Sequence, residues 1–108
     1  MDFKTLSIII PAYNEGATIH LILNKIKDVK LLNDIQKEII IVNDFSSDNT
    51  ADAVEEYQAN NADMNIQFYH QPKNMGKGAA LHRGIKEAKG EYMIIQDADL
   101  EYDPEEYN

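Results

Sequence analysis

Glu38-Ile39-Ile40-Ile41-Val42 runs directly into Asn43-Asp44-Phe45-Ser46-Ser47. The aliphatic run is short, β-branched and unbroken by polar residues, so it reads as a strand rather than a helix. A strand without alternation is covered on both faces, the habit of parallel sheets packed between helices. The polar segment that follows marks where this strand emerges into a loop.

The pattern repeats outward from there. Residues 6–11 form a first strand, followed by a helix whose Ile19, Ile22, Leu23 and Ile26 fall on one face. Downstream, Ser46-Ser47-Asp48-Asn49 offers several N-cap candidates for a second helix that buries Ala51, Val54 and Tyr57. Asn60-Asn61-Ala62-Asp63 reads as a loop and residues 66–69 as a third strand. A third helix spans about residues 76–88, with Arg83, Lys86 and Lys89 favouring its C-terminal half and Gly90 just past its end. Residues 92–96 are a fourth strand, and Asp103-Pro104 has the form of an N-cap followed by a first-turn proline. Only residues 105–108 remain for that helix, so the sequence reads as part of something longer. Strands alternating with helices predict an α/β layer fold with a mainly parallel sheet.

The 108 residues suffice for one domain with a modest core. No cysteine is present, which excludes disulfides and thiolate metal sites and fits a reducing compartment. The longest apolar runs are strand-sized, and the N-terminus lacks the basic-then-apolar pattern of a signal peptide. The formal charge is −9, and six of its acids (Asp97, Asp99, Glu101, Asp103, Glu105 and Glu106) crowd residues 96–108 without a base. Such a chain is unsuited to wrapping nucleic acid and suited to holding divalent cations.

Ligands of open α/β sheets bind at the carboxyl ends of the strands. Those ends carry Pro11-Ala12-Tyr13-Asn14-Glu15, then Asn43-Asp44-Phe45-Ser46-Ser47, then Asp97-Ala98-Asp99. In an extended chain Asp97 and Asp99 project to the same side. Two carboxylates that close repel unless a cation lies between them, and hard oxygen ligands suit Mg2+ or Mn2+ with diphosphate oxygens completing the shell.

Taken together, these segments and Asn74-Met75-Gly76-Lys77-Gly78-Ala79-Ala80 resemble the N-terminal half of the GT-A glycosyltransferases of family 2. Leu100-Glu101-Tyr102-Asp103-Pro104 looks most like the branch that includes dolichyl-phosphate mannosyltransferases and other polyprenyl-phosphate glycosyltransferases. The resemblance implies a GT-A, Rossmann-like three-layer sandwich truncated after the DxD motif, with residues 1–108 its nucleotide-sugar-binding part. It implies inverting transfer of a hexose from a UDP- or GDP-sugar to a lipid-phosphate or glycan acceptor, in the cytoplasm or at the cytoplasmic membrane face. Pro11, Tyr13, Glu15, Val42 and Asp44 would then line the nucleoside, with Asp44 accepting from a ring N–H of the base. Lys77 would reach phosphate or sugar at a helix N-terminus. Asp97 and Asp99 would hold the metal, with Asp97 and Ala98 also near the donor. The catalytic base of the family lies well beyond the DxD motif and is expected beyond residue 108, which predicts that these residues alone transfer sugar poorly or not at all. The early C-terminus predicts uncovered apolar surface and self-association.

Two positions depart from the family's usual Asp-Asp-Gly-Ser. Asn43 keeps a carbonyl acceptor but removes a charge, and Phe45 replaces a glycine, which argues against a left-handed backbone there. Both favour a rival reading, a non-catalytic nucleotide-binding or interaction module. A P-loop is ruled out because Gln71 stands where its first glycine belongs and Gly78 follows Lys77. A dinucleotide fingerprint would need glycines where Pro11-Ala12-Tyr13 stands. No acidic pair ends the first strand as a phosphoacceptor domain requires, and His20, His70 and His82 show no ligand spacing, reading as surface or core residues.

Overall fold

The computed structural model describes residues 5–29 and 35–96. Four strands, β1 (Thr5–Ala12), β2 (Gln36–Asn43), β3 (Ile66–His70) and β4 (Tyr92–Ile95), alternate with helices α1 (Ile19–Asp28), α2 (Thr50–Asn60) and α3 (Lys77–Glu87). The sheet order is β3-β2-β1-β4 and every pairing is parallel. The expected α/β class and parallel sheet are therefore observed.

Alternation along the strands builds the two faces. Ile8, Ile10, Ala12, Ile39 and Ile41 meet Ile19, Ile22, Leu23 and Ile26 of α1 and Val54 and Tyr57 of α2 on one side. Ile40 and Val42 meet Ala80 of α3 on the other. This is the three-layer sandwich: two helices, sheet, one helix. Each buried aliphatic side chain removes enough apolar surface to contribute about 1.5–3 kcal/mol. Gly84 lets α3 lie close to the sheet, since a Cβ there would fall 2.4 Å from Ile9 Cγ2.

Several local expectations shift. Ala51 is only half-buried, and Thr50 takes the buried place in the first turn of α2. Gly90 does not end α3, which stops at Glu87 with Ala88 already extended. Its smallness serves β1 instead: a Cβ would fall 2.5 Å from the Thr5 carbonyl and 2.7 Å from Ser7 Oγ.

The N-terminal edge of the sheet holds a polar cluster that the apolar reading of β2 passed over. Glu38 is buried, and its Oε1 accepts from Ser7 Oγ at 2.8 Å and from the Lys89 N–H at 2.9 Å. Its Oε2 accepts from Gln67 Nε2 at 3.0 Å, while Ser7 Oγ accepts from the Gly90 N–H at 2.9 Å. Burial pushes the Glu38 carboxyl up, but the bonds from Lys89, Ser7 and Gln67 outweigh it and hold the group below its ordinary value. Nearby, Lys37 Nζ donates to the carbonyls of Ile26 and Val29, satisfying acceptors at the end of α1. Burial lowers its pKa, opposed by the charge of Asp28.

Candidate functional site

Parallel pairing puts Ala12, Asn43 and His70 side by side, so three strands release their loops at one edge. The Asp44 N–H continues the ladder to the Ala12 carbonyl at 2.9 Å, and the Gln71 N–H continues it to Asn43 at 2.8 Å. Beyond that line the loops hold one another by side-chain bonds.

Asp44 is the centre of the edge. It is 4% exposed, and its Oδ1 and Oδ2 accept from the N–H groups of Met75 and Gly76 at 2.9 and 3.0 Å. A carboxylate therefore sits at the N-terminal end of α3, where the helix dipole favours it. The first anion satisfied there is Asp44 itself, while Lys77 opens the helix on its exposed side. Gly76, with φ of 90°, makes the approach that Asp44 needs. Each Asp44 oxygen keeps a second lone pair. Tyr13, Phe45 and Met75, the first two in loops leaving β1 and β2 and the third before α3, are 47%, 57% and 48% exposed. Large apolar side chains are thus left in water around a buried acceptor.

The β1–α1 and β2–α2 loops are joined by short polar residues. Asn14, at φ of 53°, accepts at Oδ1 from the Ser47 N–H at 2.8 Å and gives its own N–H to Ser46 Oγ at 3.0 Å. The Glu15 N–H donates to Thr50 Oγ1 at 2.9 Å, and the Gly16 N–H to Asp48 Oδ2 at 3.1 Å. Asp48 Oδ1 also accepts from the N–H and hydroxyl of Thr50. Slight desolvation raises the pKa of the exposed Asp48, but the Thr50 hydroxyl and the Gly16 and Thr50 N–H groups bring it below the usual carboxylate range. Asn49 occupies the N-cap position of α2 without a side-chain cap bond, so Asp48 does that work one residue earlier.

Phe45 corrects an expectation. Its φ is 58°, so the turn is left-handed although glycine is absent. Asn43 holds it: Oδ1 accepts from the Ser46 N–H at 3.0 Å and the Ser46 hydroxyl at 2.6 Å. An L-residue in this conformation costs about 1–2 kcal/mol, which two bonds to one carbonyl offset.

Of the residues singled out in the sequence, Tyr13, Glu15 and Asp44 come together on this edge. Pro11 and Val42 are adjacent in register and buried. Val42 is 0% exposed, and its side chain packs beneath α3 with Ile40 and Ala80. Asp97, Ala98 and Asp99 lie outside the described residues, as does everything after them. The described chain ends beside β1, parallel to it, with the Gln96 N–H bonded to the Ile9 carbonyl at 2.9 Å. Among the described residues no group of three or more His, Asp or Glu is placed to hold a metal. Sequence reasoning gave no individual role to Asn14 or Thr50 and took Asp48 only as an N-cap candidate. The signal was the density of Asn, Ser, Asp and Thr in both loops, residue types that bond backbone locally.

Comparisons with known proteins agree with this arrangement. A poly-β-1,6-N-acetyl-D-glucosamine synthase of Staphylococcus epidermidis is 39% identical over 98 residues, 91% of this chain and 22% of that protein. A dolichyl-phosphate β-glucosyltransferase of Dictyostelium discoideum is 38% identical over 106 residues, 92% of this chain and 32% of that protein. The chain thus spans between about a fifth and a third of these relatives. Among solved structures, the mannosyltransferase PcManGT of Pyrobaculum calidifontis, in complex with GDP-Man and Mn2+, superposes with a TM-score of 0.83 at 28% identity. That match covers 92% of this chain and 28% of the mannosyltransferase. Residues 1–349 of S. aureus TarS, in complex with UDP-GlcNAc, superpose with a TM-score of 0.77 at 28% identity, over 88% of this chain and 26% of that TarS chain. The sequence profile of glycosyl transferase family 2 matches residues 7–108, and the chain belongs to that family.

Proposed function

We propose that residues 1–108 are the donor-binding part of an inverting glycosyltransferase that moves a hexose from a UDP- or GDP-sugar. The observation that carries this reading is Asp44: a buried carboxylate with spare lone pairs, at the carboxyl edge of a parallel sheet, ringed by exposed Tyr13, Phe45 and Met75. A nucleobase offers the matching chemistry, a flat apolar face and a ring N–H. In this reading Tyr13 and Glu15 flank the nucleoside, Pro11 and Val42 form the packed floor, and Lys77 serves the donor's phosphates or sugar.

Asp97 and Asp99 have the hard-oxygen donor chemistry of Mg2+ or Mn2+ sites, with Asp97 and Ala98 also near the donor. A bound divalent ion would supply Lewis-acid stabilisation of the departing nucleoside diphosphate. The acceptor is a polyprenyl phosphate or a glycan, reached in the cytoplasm or at the cytoplasmic membrane face. The Dictyostelium relative supports the lipid acceptor and the Staphylococcus relative the glycan. Residues 1–108 would bind donor without transferring sugar, because the acceptor's base is not among the assigned residues. Self-association would use Ile85 of α3 and Tyr92, Met93 and Ile95 of β4, which are large, apolar and exposed.

The rival, a binding module without turnover, leaned on Asn43 and Phe45. Both are accommodated: Asn43 builds the turn that Phe45 occupies. Calorimetric titration with UDP and GDP, with and without Mn2+, tests the reading alongside Asp99→Asn. Metal-dependent binding of one nucleotide, lost in the variant, is expected. Binding of neither overturns the donor-site assignment, and sugar transfer by the purified chain overturns the claim that it lacks the base.

A further inference from the structure

His70 has no place in the donor site as assigned, yet the geometry ties it to that site through one amide. The Ser46 backbone N–H is a fixed donor, and it points at one end of the Asn43 side chain at 3.0 Å. That end is therefore the carbonyl oxygen, which leaves Nδ2 facing His70 Nδ1 at 3.3 Å. An amide N–H can only donate, so His70 Nδ1 must carry a lone pair and the ring proton must sit on Nε2. The strand pairing places the two residues directly side by side, and Phe68 packs against the imidazole at 4.4 Å between ring centroids.

The connection continues past Asn43. Its carbonyl holds the Ser46 N–H and hydroxyl, Ser46 Oγ accepts the Asn14 N–H, and Asn14 lies between Tyr13 and Glu15. Hydrogen bonds thus run from β3 through β2 to β1, and the left-handed turn at Phe45 lies inside them. Resting on the donor-site reading above, we infer that His70 is a positioning residue for nucleoside binding: it locks the Asn43 amide, and with it the turn that presents Asp44. The match between the two side chains is specific. A carboxylate at position 43 cannot donate to Nδ1 and would require the ring to donate from that atom instead.

The test reads the ring directly and then the site. Nitrogen-15 NMR of the imidazole in mildly alkaline buffer is expected to show the Nε2–H tautomer of His70 in the unaltered chain. It is expected to show the Nδ1–H tautomer in Asn43→Asp. The same tautomer in both overturns the contact, whatever the chain binds. For the site, His70→Ala is expected to weaken binding of whichever of UDP or GDP the unaltered chain takes by roughly threefold to tenfold, the worth of one such bond. His70→Asn, whose Oδ1 stands close to where Nδ1 was, restores it. Equal affinity in His70→Ala and the unaltered chain overturns the positioning role while leaving the donor site standing. Failure of the unaltered chain to bind either nucleotide overturns both.

Discussion

The two edges of this sheet each bury a carboxylate to the same degree and treat it differently. Glu38 at the N-terminal edge and Asp44 at the C-terminal edge are both 4% exposed. Glu38 accepts from three donors drawn from β1, β3 and the segment after α3, one oxygen taking two of them. Asp44 has one backbone donor on each oxygen, both from the two residues before α3. Around Glu38 the neighbours are Ser7, Gln67 and the Lys89 backbone; around Asp44 stand aromatic and thioether side chains left in water. A buried charge costs less the more fully it is bonded. The first arrangement closes the protein on itself, and the second keeps accepting capacity next to an apolar surface.

The largest effect is expected from Glu38→Ala. It would leave the Ser7 hydroxyl, the Gln67 amide and the Lys89 N–H facing a void, each orphaned donor costing about 1–3 kcal/mol. A drop in thermal midpoint well beyond 10 °C, on the order of 4–8 °C per kcal/mol for a domain near this size, is the expected reading by circular dichroism. The pH dependence follows from the lowered pKa. A carboxyl held below its unfolded value stabilises the fold above that value, and the contribution is lost as pH falls through the folded pKa. Urea unfolding across the acid range should therefore show a steeper loss for the unaltered chain than for Glu38→Gln. Equal slopes would mean the cluster is not ionised.

Gly90→Ala strikes the same cluster from the backbone. The new Cβ meets the Thr5 carbonyl, which is backbone, and Ser7 Oγ, which is held by Glu38 and the Gly90 N–H. Loss of about 1–3 kcal/mol in urea unfolding is expected, the usual range for overpacking. Nucleotide binding at the far edge should persist under conditions where the variant is folded. Loss of binding from the folded variant would show that the two edges are not separable.

How much of this was readable beforehand differs between the edges. The strands and parallel sheet follow from the unbroken aliphatic runs at Ile8-Ile9-Ile10 and Ile39-Ile40-Ile41-Val42, and the first helix from the spacing of Ile19, Ile22, Leu23 and Ile26. Asp44 was legible because a strand end is a place, and strand ends in parallel sheets gather. Glu38 was not: a single acid at the start of an aliphatic run looks like a solvated strand terminus. Only the register with Ser7 and the approach of Gly90, residues 31 and 83 positions apart from their partners, bury it. The left-handed turn at Phe45 escaped for a related reason. Glycine is the usual sign of that conformation, and the bonds that replace its freedom come from Asn43 and Ser46.

Asp44→Asn probes the other edge with a smaller structural effect. An amide presents one acceptor to two N–H groups, so either Met75 or Gly76 would face an NH2. A destabilisation of about 1–2 kcal/mol is expected, together with at least tenfold weaker nucleotide binding. Unchanged affinity would remove Asp44 from base recognition and leave it as the anchor of α3.

Phe45→Gly is the mildest change and separates the turn from its side chain. Glycine removes a left-handed penalty of about 1–2 kcal/mol, while its extra freedom in the unfolded chain returns about 0.5–1 kcal/mol. The exposed phenyl ring contributes little burial to offset the difference, since 57% of the residue remains in water. A net gain between zero and about 1.5 kcal/mol in urea unfolding is therefore expected. If the ring covers a bound base, nucleotide affinity falls although the protein becomes no less stable, a division that a purely structural residue would not produce. If affinity holds, the surface around Asp44 reduces to Tyr13 and Met75, and the contrast between the edges rests on accepting capacity alone.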